Sequence, residues 1–262
     1  MFTRKKQLEI CIPVSLDEPL TSDSCSKLVM ELIKYILYQK QQIPFTYDTL
    51  TQLQTRLNPT DRNSCSAKTI MSSVRSISDN LTSQLHSGNC DVREVVIVVG
   101  ATTVSPKLCI RLELPENILC SKSHMEYQHS SRKPLLSLMR SIIECQEFQE
   151  AMSAPLGLTN TFVMLQKSDS SSISDFFLPK PQYTPATQAA TCFAIKLSHA
   201  AEMEINCNCM NTIKVYHDLP HGKSDEAFDD KQPNHRARRG GGDSPYVWYQ
   251  SREVIKGFKF SR

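Results

Sequence analysis

The residues that most constrain the fold are 31–47, which read ELIKYILYQKQQIPFTY. Apolar residues recur there at the spacing of one helical face, and the pattern extends back to about residue 24. Pro44 ends this helix, because proline lacks an N–H group and moves the residue before it out of the α region. Gln39 stands on the apolar face where an apolar residue is expected. Either the core simply ends at Gln39, or this side chain meets a partner at the edge of the core.

The rest of the chain predicts an α+β fold, in which three helices pack on a largely antiparallel sheet. The other two helices are predicted at residues 65–86 and from about 131 to 152, with a loop at 44–63. Short runs typical of strands lie between the helices, and Pro13 in the first run indicates an edge strand. These runs are residues 8–14, 92–99, 107–114, 161–166, 191–197, 213–216, 246–250 and 254–260.

The third helix carries more apolar surface than one buried face requires. Its apolar residues cover an arc of roughly 160°, against about 100° for a packed face. If one side of this arc faces the core, then Leu136, Met139 and Ile143 stay partly exposed beside Arg140. An apolar strip beside an arginine is typical of a protein-binding surface. The same pattern fits equally well a helix that is covered on both sides within the monomer.

Composition and motifs favour a binding role over catalysis. The net charge of the 262 residues is only +3, so we expect no nucleic-acid partner for the chain as a whole. The longest apolar run, residues 95–99, is too short to span a bilayer, and we expect neither a membrane partner nor a secretory signal. Gly100 stands alone in GATTVS, which does not make a phosphate-binding loop. The common hydrolase and zinc-protease motifs are absent, and we expect no enzyme and no cofactor.

Ten cysteines are scattered along the chain, and we expect reduced thiols in a protein of the nucleus or cytoplasm. The best metal candidate combines Cys207 and Cys209 with His217 and His221. It is weak, because zinc sites usually use two closely spaced ligand pairs. Residues 217–243, rich in charge and glycine, predict a disordered insertion.

Four stretches resemble the comet family, whose members are HORMA-like adaptors that bind the mitotic-arrest-deficient checkpoint protein Mad-two. They read YQKQQIPFTY at residues 38–47, VVIVVGATTVSPK at 95–107, DFFLPKPQY at 175–183 and YVWYQSREVIKGF at 246–258. The resemblance implies a single HORMA-like domain over residues 1–262. Its C-terminal segment would be the counterpart of the mobile safety belt of HORMA proteins.

The resemblance also implies which residues bind Mad-two. The comet family uses its third helix, together with the glutamine that follows the tyrosine of the first stretch, to bind the closed conformer of Mad-two. Carried over to this chain, these positions are Met139 and Gln39, and the same helix adds Leu136, Arg140 and Ile143. The family often has an aromatic residue where Met139 stands, and a flexible thioether anchors less rigidly than a ring.

Pro179 and Lys180 match a Pro-Lys pair that the family uses to engage an AAA+ remodelling ATPase of the pachytene-checkpoint type. The pattern alone indicates only a surface turn that presents one cation. The resemblance thus implies an adaptor that presents closed Mad-two to the ATPase, promotes disassembly of the mitotic checkpoint complex and silences the spindle checkpoint. Such an adaptor is expected in the nucleus and cytoplasm, and at the spindle or kinetochore in mitosis.

Two other functions stay open on the sequence. One is a different HORMA-type module that closes its belt on a peptide motif, for example at meiotic chromosome axes. The other is a small enzyme that uses a cysteine or a metal near Cys207. A peptide held under residues 246–258 would favour the first, and bound zinc or a hyper-reactive thiol would favour the second.

Overall fold

A computed structural model of the chain describes residues 9–56, 58, 60–86, 91–115, 118–119, 129–168, 174–185, 191–199 and 246–260. The helices described are α1 Ser22–Gln39, α2 Tyr47–Gln54, α3 Arg62–His86, α4 Arg132–Glu144 and α5 Gln146–Ser153. The strands described are β1 Ile10–Leu16, β2 Val92–Gly100, β3 Pro106–Glu113, β4 Asn160–Ser168, β5 Phe177–Pro179, β6 Thr191–His199, β7 Tyr246–Ser251 and β8 Ile255–Lys256.

The strands form one mixed sheet in the order β1-β6-β3-β2-β4-β7-β5, with β8 also paired to β4. Only the β1–β6 and β3–β6 pairings are parallel, and the other pairings described are antiparallel. The predicted α+β class with a largely antiparallel sheet is therefore confirmed. Pro13 lies on β1 at the edge of the sheet, as predicted, where a missing N–H group breaks no ladder between two neighbours.

The helices cover one face of the sheet, which the alternation of β2 shows directly. Val95, Ile97 and Val99 belong to the main core together with the buried faces of α1, α3, α4 and α5. Val96 and Val98 point to the other face, where they join a smaller apolar cluster around Trp248. Because successive strand residues point to opposite faces, a strand buried on both sides reads as an unbroken apolar run.

The predicted third helix is two helices. Extended backbone at Cys145 (ψ 104°) separates α4 from α5. This break turns Phe148 into the core, where its ring stacks on Tyr35 (centroids 6.4 Å) and meets Phe193 edge-on (4.9 Å). The side-chain amide of Gln149 donates to the carbonyl of Ile142 at 2.7 Å, which satisfies one of the last carbonyls of α4.

Three other expectations need correction. The predicted loop at 44–63 contains α2, whose first turn is capped by Thr46 and whose Leu50 is buried. The predicted turn at 179–180 begins as strand β5, and the predicted strand at 254–260 is ordered as a strand only at β8. Short elements with one or two buried residues give almost no periodic signal, which explains all three errors. The predicted strand at 213–216 and the insertion at 217–243 lie outside the described residues.

Candidate functional site

The exposed strip on α4 consists of Leu136, Met139 and Ile143, and we call it the α4 strip. Leu136 is 54% exposed and Ile143 is 60% exposed, whereas Met139 is partly buried against the core. Leu138 and Ile142, on the opposite side of the helix, are fully buried. Of the two arrangements that the sequence left open, the structure thus has the one with a packed side and an exposed side. The binding role of the strip stays a prediction.

The position of α4 is set at its N-terminal end and by its buried face. Pro134 is buried in the first turn, where a missing N–H group costs no intrahelical hydrogen bond. Lys133 forms an ion pair with Glu18, just beyond β1, and α4 packs against β1. The α4 strip thus lies at the β1 edge of the sheet. Arg140 is exposed beside it and forms no ion pair within the described residues.

Residues 38–43, which we call the α1 terminus, end the first helix in a Schellman motif. The Gln41 N–H donates to the carbonyl of Tyr38 (2.9 Å), and the Gln42 N–H donates to that of Leu37 (2.8 Å). Gln41 takes the left-handed backbone conformation that this motif requires (φ 52°). Gln39 is partly exposed, and its side chain makes no hydrogen bond to any described residue. That side chain can therefore bind a partner without breaking an internal contact.

Lys40 holds the α1 terminus against α5. Its side chain is buried, and its ammonium group donates to the carbonyls of Ala151 and Ala154. These carbonyls lie at the C-terminal end of α5, where the helix dipole favours a cation. Burial lowers the pKa of Lys40 below its ordinary value, because desolvation disfavours the charged form.

Gln42 is fully buried and connects three segments. Its side-chain oxygen accepts a hydrogen bond from the Thr159 N–H at 2.8 Å. Its side-chain nitrogen donates to the Lys40 carbonyl at 2.9 Å and lies within 3.4 Å of the carbonyls of Leu156 and Gly157. Because a buried amide is costly unless its hydrogen bonds are made, this network fixes the side chain in one position.

The structure brings Gln39 and α4 into one part of the molecule. Tyr35 lies one turn before Gln39 on the same face of α1, and its hydroxyl accepts from the side-chain amide of Gln149 at 3.5 Å. Gln149 also bonds to Ile142 on α4, and helices α1, α4 and α5 all contact one another. The α1 terminus and the α4 strip are therefore two parts of one rigid surface region.

Pro179 and Lys180 lie at the opposite edge of the sheet. Pro179 pairs with Tyr249 at the end of β5, and the Lys180 N–H donates to the carbonyl of Trp248 at 2.7 Å. Both side chains are exposed, so the backbone of the pair is held by β7 while the ammonium group faces solvent. Seven strands at a spacing of about 4.8 Å place the β1 and β5 edges about 29 Å apart. The residues predicted to bind Mad-two and the residues predicted to bind the ATPase therefore lie at opposite edges of the sheet.

The charged residues buried on β2 and β3 satisfy one another. Arg111 donates to both carboxylate oxygens of Glu94 (2.6 and 3.0 Å) and to Glu9 (2.9 Å). Hydrogen bonding to Glu94 raises the pKa of Arg111 above its ordinary value. A bidentate pair of this kind holds neighbouring strands in register.

Sites for small ligands find little support in the part of the chain that the structure describes. A hollow of about 190 Å³, lined by residues of α1, α2 and α3 that include Lys34, Tyr47 and Arg75, is smaller than the ~300 Å³ of an ordinary ligand pocket. No group of three metal-ligating side chains occurs among the described residues, and the candidate ligands near Cys207 lie outside them. None of the described helices has the length and apolar character that crossing a membrane requires.

The described residues thus combine an exposed apolar strip on α4 with a polar helix end on α1. Residues 4–202 match the p31comet family, which is described as "Mad1 and Cdc20-bound-Mad2 binding". This match covers most of the sequence, and the chain belongs to the p31comet family. The protein called Mad-two above is written Mad2 in this description. Three of the four resembling stretches fall within residues 4–202, and the stretch at 246–258 lies beyond them.

Two curated relatives agree with this assignment. The chain is 26% identical over 185 residues to the human MAD2L1-binding protein, and 24% identical over 182 residues to its mouse counterpart. Each alignment covers 66% of this chain, 65% of the human protein and 64% of the mouse protein. The similarity therefore spans slightly less than two thirds of these relatives.

Sequence reasoning identified Gln39 but missed its neighbours Lys40 and Gln42. Both are polar residues that are buried in the fold. Helical periodicity does not predict their burial, because they lie at the end of the helix. The available signal was the density of polar side chains directly before Ile43 and Pro44, at a point where an apolar helix has to stop. Helix ends leave unsatisfied carbonyl groups, and polar side chains at such an end are candidates for internal hydrogen bonds.

Proposed function

We propose that this chain is a non-catalytic adaptor that binds the closed conformer of Mad2 through the α4 strip and Gln39. The α4 strip is the observation that carries the proposal, because two of its three side chains are large apolar groups that are more than half exposed. Family membership supports Mad2 as the partner, since the family and both relatives are named for binding it. The strip and Gln39 also lie on helices that pack together.

The chemistry of the surface suggests how each side chain contributes. Burial of Leu136 and Ile143 against a partner releases water from two large apolar side chains, at about 25 cal/mol per Å² of apolar surface. Met139, the member of the strip that packs partly against the core, adapts its shape to the partner. Among the described residues, Arg140 forms no salt bridge and the side chain of Gln39 forms no hydrogen bond. Each is therefore available to a carboxylate or carbonyl of Mad2.

We propose further that Pro179 and Lys180 engage the AAA+ remodelling ATPase. The separation of the two sheet edges supports simultaneous binding, because Mad2 on the α4 strip leaves the β5 edge uncovered. In this proposal the fold is HORMA-like, and residues 246–260 are the counterpart of the safety belt. The adaptor then promotes disassembly of the mitotic checkpoint complex and silencing of the spindle checkpoint, in the nucleus and cytoplasm and at the mitotic spindle or kinetochore.

Size-exclusion co-elution with Mad2 locked in its closed or open form tests the proposed interface. The wild-type chain is expected to co-elute with closed Mad2 only, and a variant with Gln39→Ala and Met139→Arg is expected to co-elute with neither. Leu178→Arg is the matched control, because Leu178 is an apolar residue 45% exposed on β5, at the opposite edge of the sheet from β1. A double variant that keeps its melting temperature and still co-elutes would remove the interface assignment.

The ATPase site requires its own assay. Lys180→Glu is expected to leave closed-Mad2 binding intact and to abolish stimulation of Mad2 opening by the ATPase. Lys107→Glu, which makes the same charge change at an exposed lysine of β3, is expected to behave like the wild type. Full stimulation by the Lys180→Glu variant would contradict the assignment of this edge.

A further inference from the structure

The C-terminal segment is hydrogen-bonded to Gln42. The Gly257 N–H donates to the carbonyl of Thr159 (2.9 Å), and the Phe258 N–H donates to the backbone carbonyl of Gln42 (2.9 Å). The side chain of Gln42 bonds in turn to the N–H of Thr159, so that three segments distant in sequence close one hydrogen-bond ring. Gln42 itself is fully buried.

The contact between Gly257 and Gln42 leaves no room for a side chain. A Cβ atom added at Gly257 would lie 2.5 Å from the side-chain oxygen of Gln42 and 3.2 Å from the carbonyl of Thr159. Both contacts are closer than van der Waals distance, and the Gln42 oxygen is already fixed by its hydrogen bond. Glycine is needed here for the close approach of the backbone and not for an unusual φ.

The segment before Gly257 is held more strongly than the segment after it. β7 and β8 both pair with β4, and Glu253 between them accepts a hydrogen bond from Ser73 on α3 at 3.1 Å. After Gly257 no strand pairing holds the described residues; the contacts there are the Phe258 hydrogen bond, the partial burial of Phe258 against the core, and the edge-on packing of Phe260 against the exposed Phe45 (5.4 Å). Residues 257–260 are therefore the part of this segment that can leave the body of the protein at least cost.

We infer that Gln42 is a positioning residue that couples the docking of residues 257–260 to the Mad2-binding surface. This inference rests on the proposed function. Gln42 holds the docked segment on one side and the carbonyl of Lys40 on the other. Lys40 anchors the α1 terminus to α5, and Gln39 directly precedes it. When residues 257–260 dock, Gln42 fixes the helix end that presents Gln39; when they leave, that end loosens.

The coupling follows from linkage. A partner that binds the ordered α1 terminus favours the docked state of residues 257–260, and docking favours the partner by the same factor. Ordering the helix end before binding reduces the entropy lost on association. Residues 257–260, which lie outside the α4 strip, therefore contribute to the affinity for Mad2.

Gly257→Ala, with Gly157→Ala as its control, tests the coupling. A Cβ at Gly157 meets nothing within 4 Å, so the control makes the same substitution without a clash. Measured by isothermal titration with closed Mad2, Gly257→Ala is expected to bind about tenfold more weakly than the wild type, and Gly157→Ala to bind like it. Equal affinity of both variants and the wild type would overturn the inference while leaving the proposed function in place.

A double-mutant cycle and hydrogen exchange separate coupling from general destabilisation. Once Gln42→Ala has removed the closest clash, adding Gly257→Ala is expected to cause a much smaller loss of affinity than in the wild type, because only the 3.2 Å contact with the Thr159 carbonyl remains. In the wild type, closed Mad2 is expected to slow exchange at the Phe258 and Thr159 amides, a readout that needs no variant to fold. Additive losses, or unchanged exchange at both amides, would overturn the coupling. A wild-type chain that does not bind closed Mad2 would remove the proposed function as well.

Discussion

The α4 strip and the α1 terminus are neighbours that are built in opposite ways. The strip leaves apolar groups uncovered, with Leu136 and Ile143 more than half exposed. The terminus buries polar groups, Lys40 and Gln42. The carbonyls of Ala151 and Ala154 accept from Lys40, and the Lys40 carbonyl and the Thr159 N–H bond to the side chain of Gln42. A fixed backbone beneath exposed side chains reduces the entropy that they lose when they bind, so the buried polar groups of the terminus complement the exposed apolar groups of the strip.

The largest expected effect is a loss of stability, and two leucines of α4 test it. Leu138→Ala is expected to lower the free energy of unfolding by about 3 kcal/mol, because the fully buried side chain leaves a cavity. Leu136→Ala, the same change two residues earlier, is expected to alter it by less than about 0.5 kcal/mol, since its side chain faces solvent. Urea unfolding measures both. Equal losses would show that Leu136 is covered within the monomer and would refute the exposed strip.

The contrast between the two regions also marks what the sequence can predict. Leu138 and Ile142 repeat at helical spacing and predict the buried side of the helix. Leu136, Met139 and Ile143 lie outside that side, which is why the sequence indicates an exposed strip. The strands of the central sheet were predicted for the same reason, from runs such as β2. Periodicity reports which side chains a regular element buries, and it does so before any tertiary contact is known.

What the sequence did not predict depends on contacts between distant residues. Gln42 and Thr159 are 117 positions apart, and nothing in either local sequence indicates that they meet. The break at Cys145 is similar, because it is decided by the fit of Phe148 between Tyr35 and Phe193. Irregular points of a chain are fixed by tertiary packing, which overrides local propensity.

Two glutamines of the α1 terminus, three residues apart, are expected to differ in role. Gln42→Ala is expected to cost about 2 kcal/mol of unfolding free energy, because it leaves the partly buried N–H of Thr159 without its partner and removes one of the two donors to the carbonyl of Lys40. Gln39→Ala is expected to change stability by less than about 0.5 kcal/mol while weakening Mad2 binding. Chemical denaturation and titration with closed Mad2 together separate the two roles. A large loss of stability in Gln39→Ala would mean that this side chain is structural.

The buried ammonium group of Lys40 predicts a dependence on pH. Its pKa is lowered in the folded state, so above that value the unfolded state binds a proton that the folded state does not. The contribution of Lys40 to stability therefore rises with pH up to the unfolded pKa near 10.4, by at most about 1.4 kcal/mol per pH unit. The stability difference between the wild type and Lys40→Met, measured from pH 8 to 10, is expected to grow in favour of the wild type. A constant difference would show that the pKa is not lowered.

The smallest effect is expected at Gln41, the exposed residue that closes the Schellman motif. Its φ of 52° is a conformation that costs a residue with a side chain about 1–2 kcal/mol, whereas glycine adopts it freely. Glycine loses more backbone entropy on folding, so Gln41→Gly is expected to raise the free energy of unfolding by only about 0.5 kcal/mol. Gln41→Val, which is β-branched, is expected to lower the free energy of unfolding.

Gln41 faces solvent between Lys40 and Gln42. A gain in stability without a change in Mad2 affinity would therefore show that the helix end needs this backbone conformation and not this side chain. Weaker binding by the stabilised glycine variant would instead make Gln41 a contact residue beside Gln39.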